Sequence, residues 1–140
     1  MAFVIDASAT LPWRFEDEAT PWTEGLLDRA EKGERLLVPA HWALEVANAL
    51  VIALRQRRVT AEQIAEFTDD LAGLSIRFEP ATDPGRWAAI IDLAQQYRLT
   101  AYDAAYLELA RRAGVPLATL DAALLAAAQA ARVDTIPPEA

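Results

Sequence analysis

The 140-residue sequence has no cysteine, a single histidine at His41 and a single lysine at Lys32. Without cysteine there is no disulfide framework, no thiol nucleophile and no cysteine zinc site. One histidine rules out the commoner His-rich zinc sites and leaves any serine triad dependent on His41, around which no serine or cysteine motif stands. Long hydrophobic runs are also missing: none approaches the roughly 18 apolar residues of a membrane span. The opening Met1-Ala2-Phe3-Val4-Ile5-Asp6 lacks the basic start and long apolar stretch of a secretion signal. These absences lead us to expect a soluble, cytoplasmic protein with no membrane association.

Apolar residues are abundant, at 54% of the chain, and acids outnumber bases, with 21 Asp+Glu against 13 Lys+Arg. That apolar fraction excludes a disordered chain. The length suits one domain over residues 1–140, long enough to bury a continuous core. The formal charge of -8 argues against a protein that coats nucleic acid by bulk attraction. It does not exclude a nuclease, because carboxylates that hold divalent cations are not free negative charge. Four acids holding two such cations would bring the balance from -8 to -4.

Short apolar runs alternate with helical stretches along the chain. Phe3-Val4-Ile5, Leu36-Leu37-Val38, Ile76-Arg77-Phe78 and part of Val115 to Leu120 read as strands, with Val133 to Ile136 as a further edge strand. A helical stretch follows Asp6. Thr20-Pro21 is an N-cap with proline at the first helical position, opening a helix that Gly33 stops. A long helix covers roughly His41 to Arg57. Thr60-Ala61-Glu62-Gln63 is a capping-box pattern leading a helix to about Leu71. Asp83-Pro84 opens another helix to about Tyr97, and Thr100 one that closes at Gly114. Asp121 begins an Ala-rich helix to about Ala131, and Pro137-Pro138 ends the order. Buried strands alternating with helices indicate an α/β fold, a four- to five-stranded parallel sheet covered on both faces.

In such a sheet, ligands sit beyond the carboxyl ends of the strands. Asp6 follows the first strand, Asp121 follows the fourth, and Glu45 lies early in the helix after the second. Asp103, in the first turn of the helix before the fourth strand, can reach the same rim. Glu45 is the most informative. From Trp42 to Leu54 the helix is apolar on every side except for Glu45 and Asn48, so it is expected to be buried. A buried carboxylate with no Lys or Arg at helical spacing needs compensation, and a cation is the economical candidate. Each acid also has a purely structural use. Asp121 could N-cap the last helix, Asp103 could complete a capping box with Thr100, and Asp6 could close an Asx-turn. Glu45 could be a buried acid with a raised pKa. Gathered together, the four would repel unless protonated or held by a metal, and an all-oxygen set suits Mg²⁺ or Mn²⁺ rather than zinc.

The order and setting of these acids resemble the PIN-domain ribonucleases, most closely the VapC-type toxins of bacterial toxin–antitoxin pairs. Val4-Ile5-Asp6-Ala7-Ser8 is similar to the family's opening motif, and Glu45-Val46-Ala47-Asn48-Ala49-Leu50 to its second. Tyr102-Asp103-Ala104-Ala105-Tyr106-Leu107 and Leu117-Ala118-Thr119-Leu120-Asp121 are similar to the third and fourth. The resemblance spans nearly the whole chain, and no acid is missing. It implies a PIN-like α/β/α sandwich and an Mg²⁺- or Mn²⁺-dependent endoribonuclease whose attacking water is activated by the ion. Asp6, Glu45, Asp103 and Asp121 would be the catalytic acids and metal ligands, with Ser8, Asn48 and Thr119 orienting them. It further implies an RNA substrate, a small antitoxin protein and a homodimer. The alternative is a PIN-fold binding module without catalysis. An aspartyl-phosphate phosphotransferase fits less well: it would want an acid where Ser8 stands and a catalytic lysine, whereas Lys32 is alone.

Other residues carry weaker signals. Arg55, Arg57 and Arg58 could bind RNA phosphate, although cations at a helix C-terminus are favoured by its dipole in any case, as are Arg111 and Arg112. His41 reads as a structural or capping residue. Trp13, Trp22, Trp42 and Trp87 could stack on bases or line contacts. Trp13 and Phe15, in an acidic stretch with little obvious core to enter, are expected with Trp22 to anchor an interface.

Overall fold

The computed structural model describes residues 1–80 and 83–137. Four strands form one parallel sheet: β1 (Ala2–Ile5), β2 (Arg35–Val38), β3 (Ile76–Phe78) and β4 (Leu117–Ala118), in the order β3-β2-β1-β4. The register sets Phe3 against Leu36, Val4 against both Leu37 and Leu117, and Leu36 against Ile76. Phe3, Val4, Ile5, Leu36 and Val38 are shut away from solvent, as strands covered on both faces must be. The expected edge strand shrinks to one parallel bridge between Leu117 and Thr135, with Leu117 N–H donating to the Asp134 carbonyl. Of the expected closing prolines, Pro138 lies outside the described residues.

Among the described residues, seven α-helices cover the sheet: α1 (Ala7–Thr10), α2 (Pro21–Glu31), α3 (Trp42–Arg55), α4 (Ala61–Ala72), α5 (Pro84–Tyr97), α6 (Ala101–Ala113) and α7 (Ala122–Ala130). Their starts obey local chemistry. Thr20 and Thr60 form reciprocal capping boxes with Thr23 and Gln63, and Asp83, Thr100 and Asp121 each accept a first-turn N–H. Gly33 and Gly114 stand at positive φ just past α2 and α6, where a side chain would be strained. α6 packs on β1 and β2 and is the most buried helix, with Ala104, Tyr106, Leu107, Leu109 and Ala110 all inside.

Two expectations fail, for a common reason. α3 is not buried all round: Trp42, Val46, Leu50 and Ala53 face the core, but Leu44 is 74% exposed and Val51, Ile52 and Leu54 are also open. An open groove of about 470 Å³ runs between α3, α4 and β3, floored by Val46, Leu50, Leu71 and Ile76. Conversely, the acidic segment after α1 does find a core. Phe15 is buried beneath the Arg58 guanidinium, which lies 4.5 Å from its ring and also bonds Asp17 and Glu18. Trp22 is buried too, and the Trp13 indole N–H donates to the Thr23 carbonyl at 2.8 Å. Arg58 is therefore occupied by the protein's own acids. An apolar sequence shows that a face wants cover, but which face receives it depends on elements distant in the chain.

Candidate active site

The chain runs from β1 to β2 to β3 in one direction, then places β4 on the other flank of β1. The crevice beyond the carboxyl ends of β1 and β4 is thus a topological switch point, where α/β sheets bind ligands. Asp6 emerges there directly from β1 and is only 4% exposed. Its Oδ1 accepts from the Ser8 hydroxyl at 2.7 Å and from Ala9 N–H at 3.1 Å, and its Oδ2 accepts from the Thr119 hydroxyl at 2.5 Å. Thr119 Oγ1 in turn accepts from Asp121 N–H at 3.0 Å, and Ser8 Oγ from Leu120 N–H at 2.9 Å. Ser8 and Thr119 thereby lace the end of β1 to the end of β4. Burial still outweighs these bonds and raises the Asp6 pKa, with a small push from Asp121.

Asp121 follows β4 after Thr119 and Leu120, and its Oδ1 accepts from Ala123 N–H, so its capping use is realised. Asp103 behaves differently. Thr100 accepts from Asp103 N–H, but no reciprocal bond from the Asp103 carboxyl closes a capping box, which leaves that carboxyl for the rim. Burial and then the neighbouring Asp121, with contributions from Glu45 and Asp6, push its pKa up to about 6. Asp6, Glu45 and Asp121, from three other segments of the chain, are therefore close enough for Asp103 to feel their charge.

Glu45 departs from expectation. Its side chain is 36% exposed rather than buried. The buried Tyr106 hydroxyl donates to its Oε1 at 2.5 Å, and His41 Nε2 lies 3.6 Å from the same oxygen. Burial and this carboxylate raise the Tyr106 pKa and keep the phenol protonated as a donor. Tyr106 and His41 are thus site residues that the sequence analysis did not assign. The signal was available: His41 stands four residues before Glu45, and Tyr106 one helical turn after Asp103. Asn48, by contrast, is exposed and makes no side-chain hydrogen bond among the described residues, so it orients none of the acids here.

Oxygen is the only donor type that the four acids and two hydroxyls offer, the chemistry that suits a hard divalent cation. Asp103 carries the test of fit. Burial is the larger cause of its raised pKa, but Asp121, Glu45 and Asp6 each add to it, and His41 is the one basic side chain within 4 Å of these acids among the described residues. As they lie, no three of these groups stand close enough to grip an ion, so a cation would have to draw them together.

No curated protein matches this chain. Among solved structures it is similar to PAE2754 from Pyrobaculum aerophilum, at 24% identity and a TM-score of 0.70, covering 91% of this chain and 79% of that one. It is also similar to a domain of a functionally unknown protein from Methanocaldococcus jannaschii DSM 2661, at 15% identity and a TM-score of 0.58, covering 99% and 91%. At these identities the likeness speaks for the fold. The PIN domain family matches residues 3–130, nearly the whole chain, with Asp6, Glu45, Asp103 and Asp121 all inside the match. By that match the chain belongs to the PIN domain family, whose fold is of the nuclease type.

Proposed function

We propose that this chain is an Mg²⁺- or Mn²⁺-dependent endoribonuclease, the VapC-type toxin of a type II toxin–antitoxin pair, acting as one nuclease domain. The observation that carries the reading is the acid cluster at the switch point, where burial and then Asp121, Glu45 and Asp6 push Asp103 up. A non-catalytic binding module would have no use for such mutual repulsion. Asp6, Glu45, Asp103 and Asp121 would hold the cation. When bound, it would lower the pKa of water and offset charge developing on the phosphate. Ser8 and Thr119 hold the Asp6 carboxylate in one orientation, and Tyr106 aims Glu45. For the antitoxin and homodimer, support comes from α3, whose open apolar side offers Leu44, Val51, Ile52 and Leu54 to a protein partner.

The test is cleavage of bulk RNA by purified protein freed of partner. Activity should need added Mg²⁺ or Mn²⁺, vanish in chelator and be missing in Asp6→Asn. Light scattering should return about twice the 15.3 kDa chain mass, and a co-expressed small protein should co-purify and silence the enzyme. RNA left intact with either metal would refute the nuclease. Unrestrained activity from a monomer would refute the toxin assignment alone.

A further inference from the structure

Beside the carboxylate rim lies a second pocket, of about 360 Å³, walled by His41, Trp87, Ile90, Ile91, Tyr102 and Ala105. It joins the acids through two of its own residues. His41 Nε2 is 3.6 Å from Glu45 Oε1 and 3.0 Å from the Tyr102 carbonyl oxygen, and Tyr102 is the residue before Asp103. The His41 and Tyr102 rings meet edge to face with centroids 5.4 Å apart. Trp87 and Tyr102 remain 56% and 64% exposed, two large rings spread in water that the fold does not cover.

We propose that this pocket is a nucleobase subsite, taking one unpaired base of a single-stranded RNA whose scissile phosphate lies at the acids. The inference rests on the nuclease reading and adds which part of the substrate is gripped. Charge decides against phosphate as the occupant. The rim is acidic, no guanidinium lines the pocket among the described residues, and Arg86 and Arg112 of the adjoining hollow lie beside Glu79 and Glu108. A base is the uncharged part of RNA, and stacking on an aromatic face needs no cation. Size agrees, because the volume lies in the range of small-ligand pockets. A second copy of the chain fits less well, since a stable interface buries roughly 800 Å² per partner, far more than this pocket offers. Bases paired in a duplex cannot enter, so the substrate is a loop or an unstructured strand.

The experiment uses the full chain, its Trp87→Ala and Trp87→Phe variants, and a short cleavage-resistant, phosphorothioate-linked RNA carrying 2-aminopurine. Binding to the wild type should quench the 2-aminopurine. Trp87→Ala should weaken binding by about 5- to 100-fold, the effect of one lost stacking contact, and Trp87→Phe should recover most of it. An abasic position in place of the 2-aminopurine should cost the wild type the same factor and cost Trp87→Ala nothing more. Equal binding by wild type and Trp87→Ala overturns the subsite, as does a Trp87→Phe variant no better than Trp87→Ala. A Trp87→Ala variant that changes the oligomeric mass assigns the pocket to a second copy and overturns it too. The probe needs no catalysis, so the two readings separate. Quenching and Trp87 dependence in a protein that never cuts RNA would sink the nuclease and leave the subsite, and cutting with no Trp87 dependence would do the reverse.

Discussion

Asp6 and Asp103 are the same residue at the same rim, yet the protein treats them in opposite ways. Asp6 is buried and receives three hydrogen bonds, from Ser8, Ala9 and Thr119. Asp103 is half open, and the groups that shift its pKa most after burial are other carboxyls. The first is held in a fixed position by its neighbours. The second is held in tension by them. A carboxylate cluster thus divides into a rigid part, built from two strand ends, and a responsive part whose charge depends on pH and on any cation present.

The comparison breaks most visibly at Asp6. Asp6→Asn keeps the shape and removes one negative charge, so the protein should stay folded. Cleavage should nevertheless fall by more than the roughly 10- to 100-fold that loss of an outer partner of a metal ligand costs. A folded variant that cuts RNA at the wild-type rate would show that the rigid acid is not in the machinery.

Thr119→Val tests the rigidity itself. It leaves Asp6 Oδ2 and Asp121 N–H without their partner, a cost of about 1–3 kcal/mol in a buried setting. The melting temperature should drop by about 5 °C, and an unchanged melt would mean that Asp6 does not depend on the β4 end.

At Asp103 the sign is reversed. Its folded pKa of about 6 exceeds the ordinary 3.8, so between these values the folded protein binds more protons than the unfolded chain. Stability from this group is present at low pH and is lost as pH rises through that window. In chelator, Asp103→Asn should therefore melt higher at pH 7.5, by about 3 °C once solvent screening is allowed for, with the gain fading as pH falls from 6 to 4. A variant that melts lower at pH 7.5 would show that Asp103 is paired rather than repelled. Asn48→Ala should do least, within about 0.5 kcal/mol of the wild type by chemical denaturation, because its side chain is exposed and makes no hydrogen bond among the described residues. A larger loss would restore it to the site.

Much of this was legible in the chain. Helix starts at Thr20, Thr60, Asp83 and Thr100 follow from side chains hydrogen-bonding N–H groups three residues away, a contact that local sequence contains in full. Strand identity at Phe3 to Ile5 and Leu36 to Val38 followed from apolar runs too short for helices. The order of the acids was legible for the same reason, since each sits at the boundary of an element. Less visible were Tyr106 and His41, which meet Glu45 from different helical contexts, and the exposure of Glu45 that their contact accompanies.

Sequence by itself determined the elements, their caps and the four acids at or near element ends, because each depends on interactions within a few residues; alternating strands and helices implied the parallel sheet, but its pairings, such as Ala2 with Arg35 and Val4 with Leu117, are made in space. Tertiary structure decided which apolar faces were covered. It buried Phe15 under Arg58, forty-three positions on, and left the outer side of α3 and the Trp87 and Tyr102 rings in solvent. It also decided that Asp103 would be raised, through burial and then the charges of Asp121, Glu45 and Asp6. Burial and electrostatics are sums over neighbours in space, and a sequence states only neighbours along the chain.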